Sequence, residues 1–201
     1  NRALKSALRE DPDAILVGEM RDHETISLAL TAAETGHLVM GTLHTSSAAK
    51  TVDRIIDVFP SGDKEMVRAM VAGSLQAVIS QVLLKRKGGG RAAAHEILVG
   101  TSAVRNLIRE NKIPQIYSMI QVGQRYGMQT MEDSMRALVE KGIVEPSEVA
   151  TMNAKLNDSG PSPAPAATGA APEGVARAAA AQPAPAAAPA AAEPRKSRSL
   201  F

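Results

Sequence analysis

The sequence predicts an α/β fold: a small parallel-sheet unit, then a mostly helical region, then a disordered Ala/Pro-rich tail. Three observations predict it. Two short apolar runs, "AILV" at 14–17 and "HLVMGTL" at 37–43, flank a stretch with helical spacing. A strand, a helix and a strand of that length form a βαβ unit, whose strands run parallel. From residue 46 to 156 most apolar residues recur three and four positions apart, and from Asn157 the chain turns to Ala and Pro.

Taken in order, "RALKSALRE" reads as a short helix with Leu4 and Leu8 on one face. "AILV" is continuously apolar, as expected of a strand buried on both faces. A helix follows from about Asp22 to Thr35, with Ile26, Ala29, Leu30 and Ala33 on one stripe. Asp22 suits the N-cap, Glu24 the positive first turn and Gly36 the position after the helix. "HLVMGTL" is the second strand. "AAKTVDRIIDVF" is a helix stopped by Pro60. A longer helical pattern takes in Met66, Met70, Leu75, Val78, Ile79 and Val82, divided or kinked at Gly73. "VLLKRKGGGRAAAHEILVG" reads as two short strands around a Gly turn. "SAVRNLIRE" is amphipathic, with Val104, Leu107 and Ile108 inward. "IPQIYSMIQVG", "TMEDSMRALVEKG" and "EPSEVATMN" are three further helices, with Pro146 near the start of the last. Repeated Pro and the lack of anything to bury mark 157–201 as a disordered, partly polyproline-like tail.

Bulk properties narrow the function. Lys and Arg exceed Asp and Glu by 23 to 21, a net charge of +2, and the charges are interspersed. That is no nucleic-acid signature. No apolar run approaches the ~18–20 residues of a membrane helix, so direct membrane insertion is not expected. The chain has no Cys, which excludes a disulfide framework and a Cys-ligated zinc. It does not begin with Met and is expected to be a fragment. Aromatics are 2%, so the core must be aliphatic.

The functional signal lies where the strands end. In open parallel sheets, ligands sit at the carboxyl ends of the strands. Glu19 follows the first strand; His44 and Thr45 follow the second. One βαβ unit thus delivers a carboxylate, an imidazole and a hydroxyl to one edge. A carboxylate there can polarise a water or hold Mg²⁺ through its hydration shell. An imidazole can stabilise charge on a phosphate oxygen. Each also has a plainer reading: Glu19 as a charge near a helix N-terminus, His44 as a loop hydrogen bond. Arg21 and Asp22 either couple this edge to a neighbour or pair locally and cap the helix. His37 and His95 read as structural and His23 as a solvent-facing first-turn residue. Lys85, Arg86, Lys87 and Arg91 read as a solvated turn.

Three segments resemble a known family. "LREDPDAILVGEMRD" resembles the Walker B segment of the secretion-type (PilT/GspE) ATPases, and "AAETGHLVMGTLHTSSA" resembles their His box. "AVRNLIRE" resembles the C-terminal motif of the PilT-type pilus-retraction branch. The resemblance covers about residues 1–155. It implies a partial RecA-like ATPase core over 1–60, a mainly helical subdomain over 61–156, and the tail. It implies Glu19 as the catalytic glutamate, also touching Mg²⁺ through water, and His44 as the His-box histidine. Thr42 and Thr45 would face the nucleotide. Arg105, Asn106, Arg109 and Glu110, on the exposed face of the motif helix, would transmit nucleotide-driven motion, with Arg21 and Asp22. The implied cofactors are ATP and Mg²⁺. The implied assembly is a cytoplasmic homo-hexamer, peripheral at the inner membrane. It would dock on an inner-membrane pilus platform protein and admit a paralogous retraction ATPase as a further partner. The implied work is pilus retraction and twitching motility.

The sequence departs from the family pattern twice. No G-x-x-x-x-G-K-[ST] occurs; "KGGGRAAA" lacks the Lys-Ser/Thr. The phosphate loop is expected upstream of Asn1, and this chain alone is then inactive. The Ala/Pro tail lies beyond the pattern. The absence of Cys favours the retraction branch, since assembly-type relatives commonly carry a four-cysteine zinc module. Two alternatives stand beside it. One is a non-catalytic interaction module that joins rings of a complete paralogue. The other is a fragment of an assembly or type II secretion ATPase.

Overall fold

In a computed structural model, which describes residues 12–158 together with 6, 7, 9 and 10, Ala14–Val17 forms strand β1 and Leu38–Gly41 forms β2. The two pair in parallel, Ile15 opposite Val39 and Leu16 opposite Met40. Helix α1, His23–Glu34, makes the crossover. Its N-cap is Asp22, whose carboxylate accepts from the Thr25 amide at 2.8 Å. It ends at Thr35, and Gly36 then takes φ +103°, a conformation glycine adopts without steric cost. The βαβ unit is therefore as the apolar pattern predicts. Most of the helix expected over 2–10, and the tail from residue 159, lie outside the described residues.

β1 is not buried on both faces. Ile15 is buried, but Leu16 is 72% exposed, and Leu38 and Met40 are exposed on the same face. Alternate residues of a strand point to opposite faces, and among the described residues nothing covers the outer one.

Helix α2, Ala48–Asp57, is capped by Ser47 and ends before Pro60, as expected. Helix α3, Lys64–Ser74, buries Val67, Val71 and Ala72, whereas Met66 is exposed. The helical pattern expected to continue to Val82 stops at Ser74. Leu75 is extended, at ψ 122°, and Ala77–Lys85 forms strand β3, paired antiparallel with β4, Arg91–Val99. The spacing of Leu75, Val78, Ile79 and Val82 fits a helix on paper. Pairing with a distant strand overrides it, and inward Ser80 and Leu84 then alternate with outward Ile79 and Leu83. The Gly turn is as expected, with Gly88, Gly89 and Gly90 all at positive φ.

Helix α4, Ser102–Arg109, is capped by Thr101 and buries Val104 and Ile108 completely, with Leu107 packed beside them. Each such burial is worth about 1.5–3 kcal/mol. Helices α5, Ile116–Val122, α6, Met131–Glu140, and α7, Pro146–Asp158, follow. Pro146 opens α7, which runs through Asp158, past the expected start of the tail. One aliphatic core joins Ile26, Val52, Ile56, Val67, Val71, Val104 and Ile108; a smaller one gathers Leu84, Met131, Met135 and Val144. Among the described residues, no helix is long and apolar enough to cross a membrane.

Candidate active edge at the strand ends

The pairing of β1 with β2 continues past the strands. The Met20 amide donates to the Thr42 carbonyl at 2.9 Å, and the Thr42 hydroxyl donates to the Gly18 carbonyl. Glu19 is held between these two ties. Its Oε1 lies 3.4 Å from His44 Nε2, and its Oε2 lies 2.5 Å from Arg21 Nη2. The glutamate side chain is 26% exposed, against 76% for Arg21 and 85% for His44. The edge is thus open to a ligand. The hydrogen bond from Arg21 holds the Glu19 carboxyl below the usual carboxylate range, and the charges of Arg21 and His44 add to it. Glu19 is therefore ionised at neutral pH, the form a general base needs.

Arg21 pairs with Glu19, and Asp22 caps α1. The Thr45 hydroxyl lies 2.7 Å from that of Thr51, which donates to the Ser47 carbonyl. Thr45 is thereby tied to the first turn of α2. Of the motif helix, Asn106, Arg109 and Glu110 are exposed, with Arg109 on Asn106 at 2.5 Å and Glu110 on Lys112 at 2.8 Å. Arg105 is not on that exposed face. Its guanidinium donates to the carbonyls of Ala72, Gly73, Leu75 and Gly100, which close the end of α3 and the turn before α4. A guanidinium with five fixed donors matches such a cluster, and the helix end supplies the carbonyls that lack partners.

His37 Nδ1 lies 3.0 Å from the Ala32 carbonyl, and His95 Nε2 lies 3.1 Å from Gln81 Oε1. The His23 ring meets Phe59 edge-on at 4.6 Å, a packing contact the sequence reading missed. Lys87 of the Gly turn pairs with Glu145 at 3.1 Å, so that turn is fastened to the start of α7. Glu96 was also missed. It is 4% exposed on β4, and its Oε1 accepts from the Ala48 amide at 2.7 Å. The signal was its parity: Ala94, Glu96 and Leu98 alternate on the inward face, and a buried acid requires a partner.

Comparison with known proteins bears on the family and the fold. A family model described as Type II/IV secretion system protein matches residues 1–151. The chain is 67% identical to the Type IV pilus retractation ATPase PilT of Pseudomonas aeruginosa over 144 residues, 72% of this chain and 42% of that protein. It is 67% identical to a twitching motility protein of Neisseria gonorrhoeae over 158 residues, 78% of this chain and 42% of that protein. The chain therefore spans less than half the length of these relatives. Among solved structures, the pilus retraction motor PilT with bound ADP superposes with TM-score 0.67 at 48% identity, covering 81% of this chain and 43% of that one. The Legionella pneumophila ATPase DotB superposes equally well, TM-score 0.67, at 33% identity, covering 76% of this chain and 41% of that one. With a parallel sheet delivering Glu19 and His44 to one edge in a partial RecA-like α/β fold, the chain belongs to the type II/IV secretion system protein family.

Proposed function

We propose that this chain is the carboxyl-terminal part of a PilT-type ATPase, a hexameric motor whose hydrolysis of ATP powers pilus retraction and twitching motility. The observation that carries the reading is the ionised Glu19 beside His44 at the carboxyl ends of two parallel strands. Phosphoryl transfer asks little covalent chemistry of a protein; it asks for placement and charge. Glu19 accepts a proton from, and orients, the attacking water. His44 reaches from the neighbouring strand end to the phosphate oxygens, where charge develops. Thr42 and Thr45 line the same edge. Residues 1–60 form the end of the nucleotide core and residues 61–156 the subdomain that moves with it. Arg21, Asp22 and the motif helix, with Asn106, Arg109 and Glu110 on its surface, carry that motion.

ATP arrives with Mg²⁺, which neutralises phosphate charge when bound. Mg²⁺ keeps several waters and takes one or two carboxylates besides the phosphates. Among the described residues no group of three His, Cys, Asp or Glu could hold a metal ion. A single ionised Glu19 fits contact through a water. In the cell the ring is cytoplasmic, peripheral at the inner membrane on the pilus platform protein, with a paralogous retraction ATPase as a further partner.

The test is Glu19→Gln in the complete protein. Hydrolysis should fall by at least about 10²-fold while nucleotide binding survives. Hydrolysis at the wild-type rate overturns the assignment. A retraction assay run against an extension assay separates this motor from an assembly ATPase.

A further inference from the structure

Glu96 belongs to no part of the proposed chemistry, yet among the described residues it is the one buried charged side chain. It sits on the inward face of β4 and reaches the start of α2. There its Oε1 accepts from the amide of Ala48, the first residue of that helix, at 2.7 Å. The carboxylate thus meets the start of a helix, where amides lack partners within the helix. Burial nonetheless pushes the Glu96 carboxyl up, and the charge of Glu132 adds to that.

The start of α2 leads directly to the active edge. Ala48 follows the His44–Thr45 turn by three residues. Thr45 is bound to Thr51 of the first turns of α2, and Thr51 to Ser47. His44, one residue before Thr45, meets Glu19 at 3.4 Å. A continuous path of hydrogen bonds and adjacent residues therefore runs from β4 through Ala48, Thr51 and Thr45 to the imidazole.

The geometry points to Glu96 as a positioning residue: it fastens the start of α2 to β4 and so sets where the His44–Thr45 turn holds the imidazole against Glu19. The proposal rests on reading Glu19 and His44 as the catalytic pair.

The test uses the complete protein and two readouts, amide hydrogen exchange at Ala48 and steady-state ATP hydrolysis. Glu96→Ala removes the acceptor. Exchange at Ala48 should quicken by about tenfold or more, and kcat should fall about tenfold with KM for ATP within about twofold. Glu96→Gln keeps an oxygen acceptor at the same reach and should bring both to within about twofold of wild type. A merely structural side chain would lower Tm without this split between kcat and KM. Wild-type exchange and kcat in Glu96→Ala overturn the proposal, as does a Glu96→Gln protein that behaves like Glu96→Ala. If Glu96→Ala does not fold, Glu96→Asp replaces it, since it withdraws the acceptor by one methylene, and the same outcomes decide. Glu19→Gln is run in parallel. Hydrolysis that survives there sinks the catalytic reading, while exchange at Ala48 still judges the Glu96 contact.

Discussion

Arg105 Nη1 lies 2.5 Å from the carbonyl oxygen of Gly73. The same guanidinium reaches Gly100, Leu75 and Ala72 at 2.7, 3.0 and 3.3 Å. The arginine of the AVRNLIRE segment therefore closes the end of α3 from a helix about thirty residues further on. That clamp ties α4 to the end of α3.

Arg105→Ala should leave these carbonyls unpaired and cost about 2–3 kcal/mol, lowering Tm by roughly 5–10 °C. Arg105→Lys, with a point charge in place of a planar fork, should recover less than half of the loss. A solvated surface arginine would move stability by no more than about 0.5 kcal/mol. Thermal unfolding of the two variants decides between the clamp and the exposed face that the sequence implied.

Two glycines should respond by different amounts to the same change. A Cβ on Gly100 would lie 2.2 Å from the Leu75 carbonyl oxygen, a backbone atom that Arg105 also binds. Gly100→Ala must move that backbone and should cost about 3 kcal/mol. A Cβ on Gly41 would meet the flexible Met20 side chain first, its Cε at 2.7 Å. Methionine can swing aside, so Gly41→Ala should cost less than about 1 kcal/mol. Denaturant midpoints for the pair check this, and equal losses would refute the distinction between backbone and side-chain neighbours.

Much of this was legible in the sequence, where local chemistry decides. Asp22, Ser47, Thr101 and Thr130 each stand at a helix start, and each caps it. The apolar runs around α1 gave the parallel pair, and with it Glu19 and His44 at one edge. What stayed hidden depends on distant partners. Residues 77–85 carry a pattern that serves helix or strand, and only the register with 91–99 selects the strand. Arg105 looks like any polar residue on a helix, because its acceptors Ala72, Gly73 and Leu75 come from an earlier element. Glu96 sits among alanines and aliphatics that show the parity of its strand but not the helix start it meets. Leu16 reads as buried because a continuous apolar run cannot say which face is covered.

The Tyr117 hydroxyl donates to Glu132, and that carboxylate opposes formation of a phenolate beside it. The Tyr117 hydroxyl is pushed up to about 12 from an ordinary value of 10.0, chiefly by this hydrogen bond and then by burial. The unfolded chain loses its phenol proton at lower pH than the folded one. The contribution of the pair to stability is thus complete below about 10 and is lost as pH rises through about 12. Phenolate absorbance against pH should show this late step in the wild type and lack it in Tyr117→Phe. Glu132→Gln should bring the step back toward 10.

Arg21 sets the working range of Glu19. Its hydrogen bond is the largest cause of the lowered Glu19 value, so the carboxylate stays ionised to lower pH than a free glutamate. Removing Arg21 raises that value, and the base is then protonated sooner as the medium is acidified. In the complete protein, Arg21→Gln should therefore move the acid limb of the kcat/KM profile for ATP to higher pH. Activity on the alkaline side should keep its shape, since Glu19 is ionised there in both proteins. An acid limb at the same pH in Arg21→Gln and wild type would mean that the group titrating there is not Glu19.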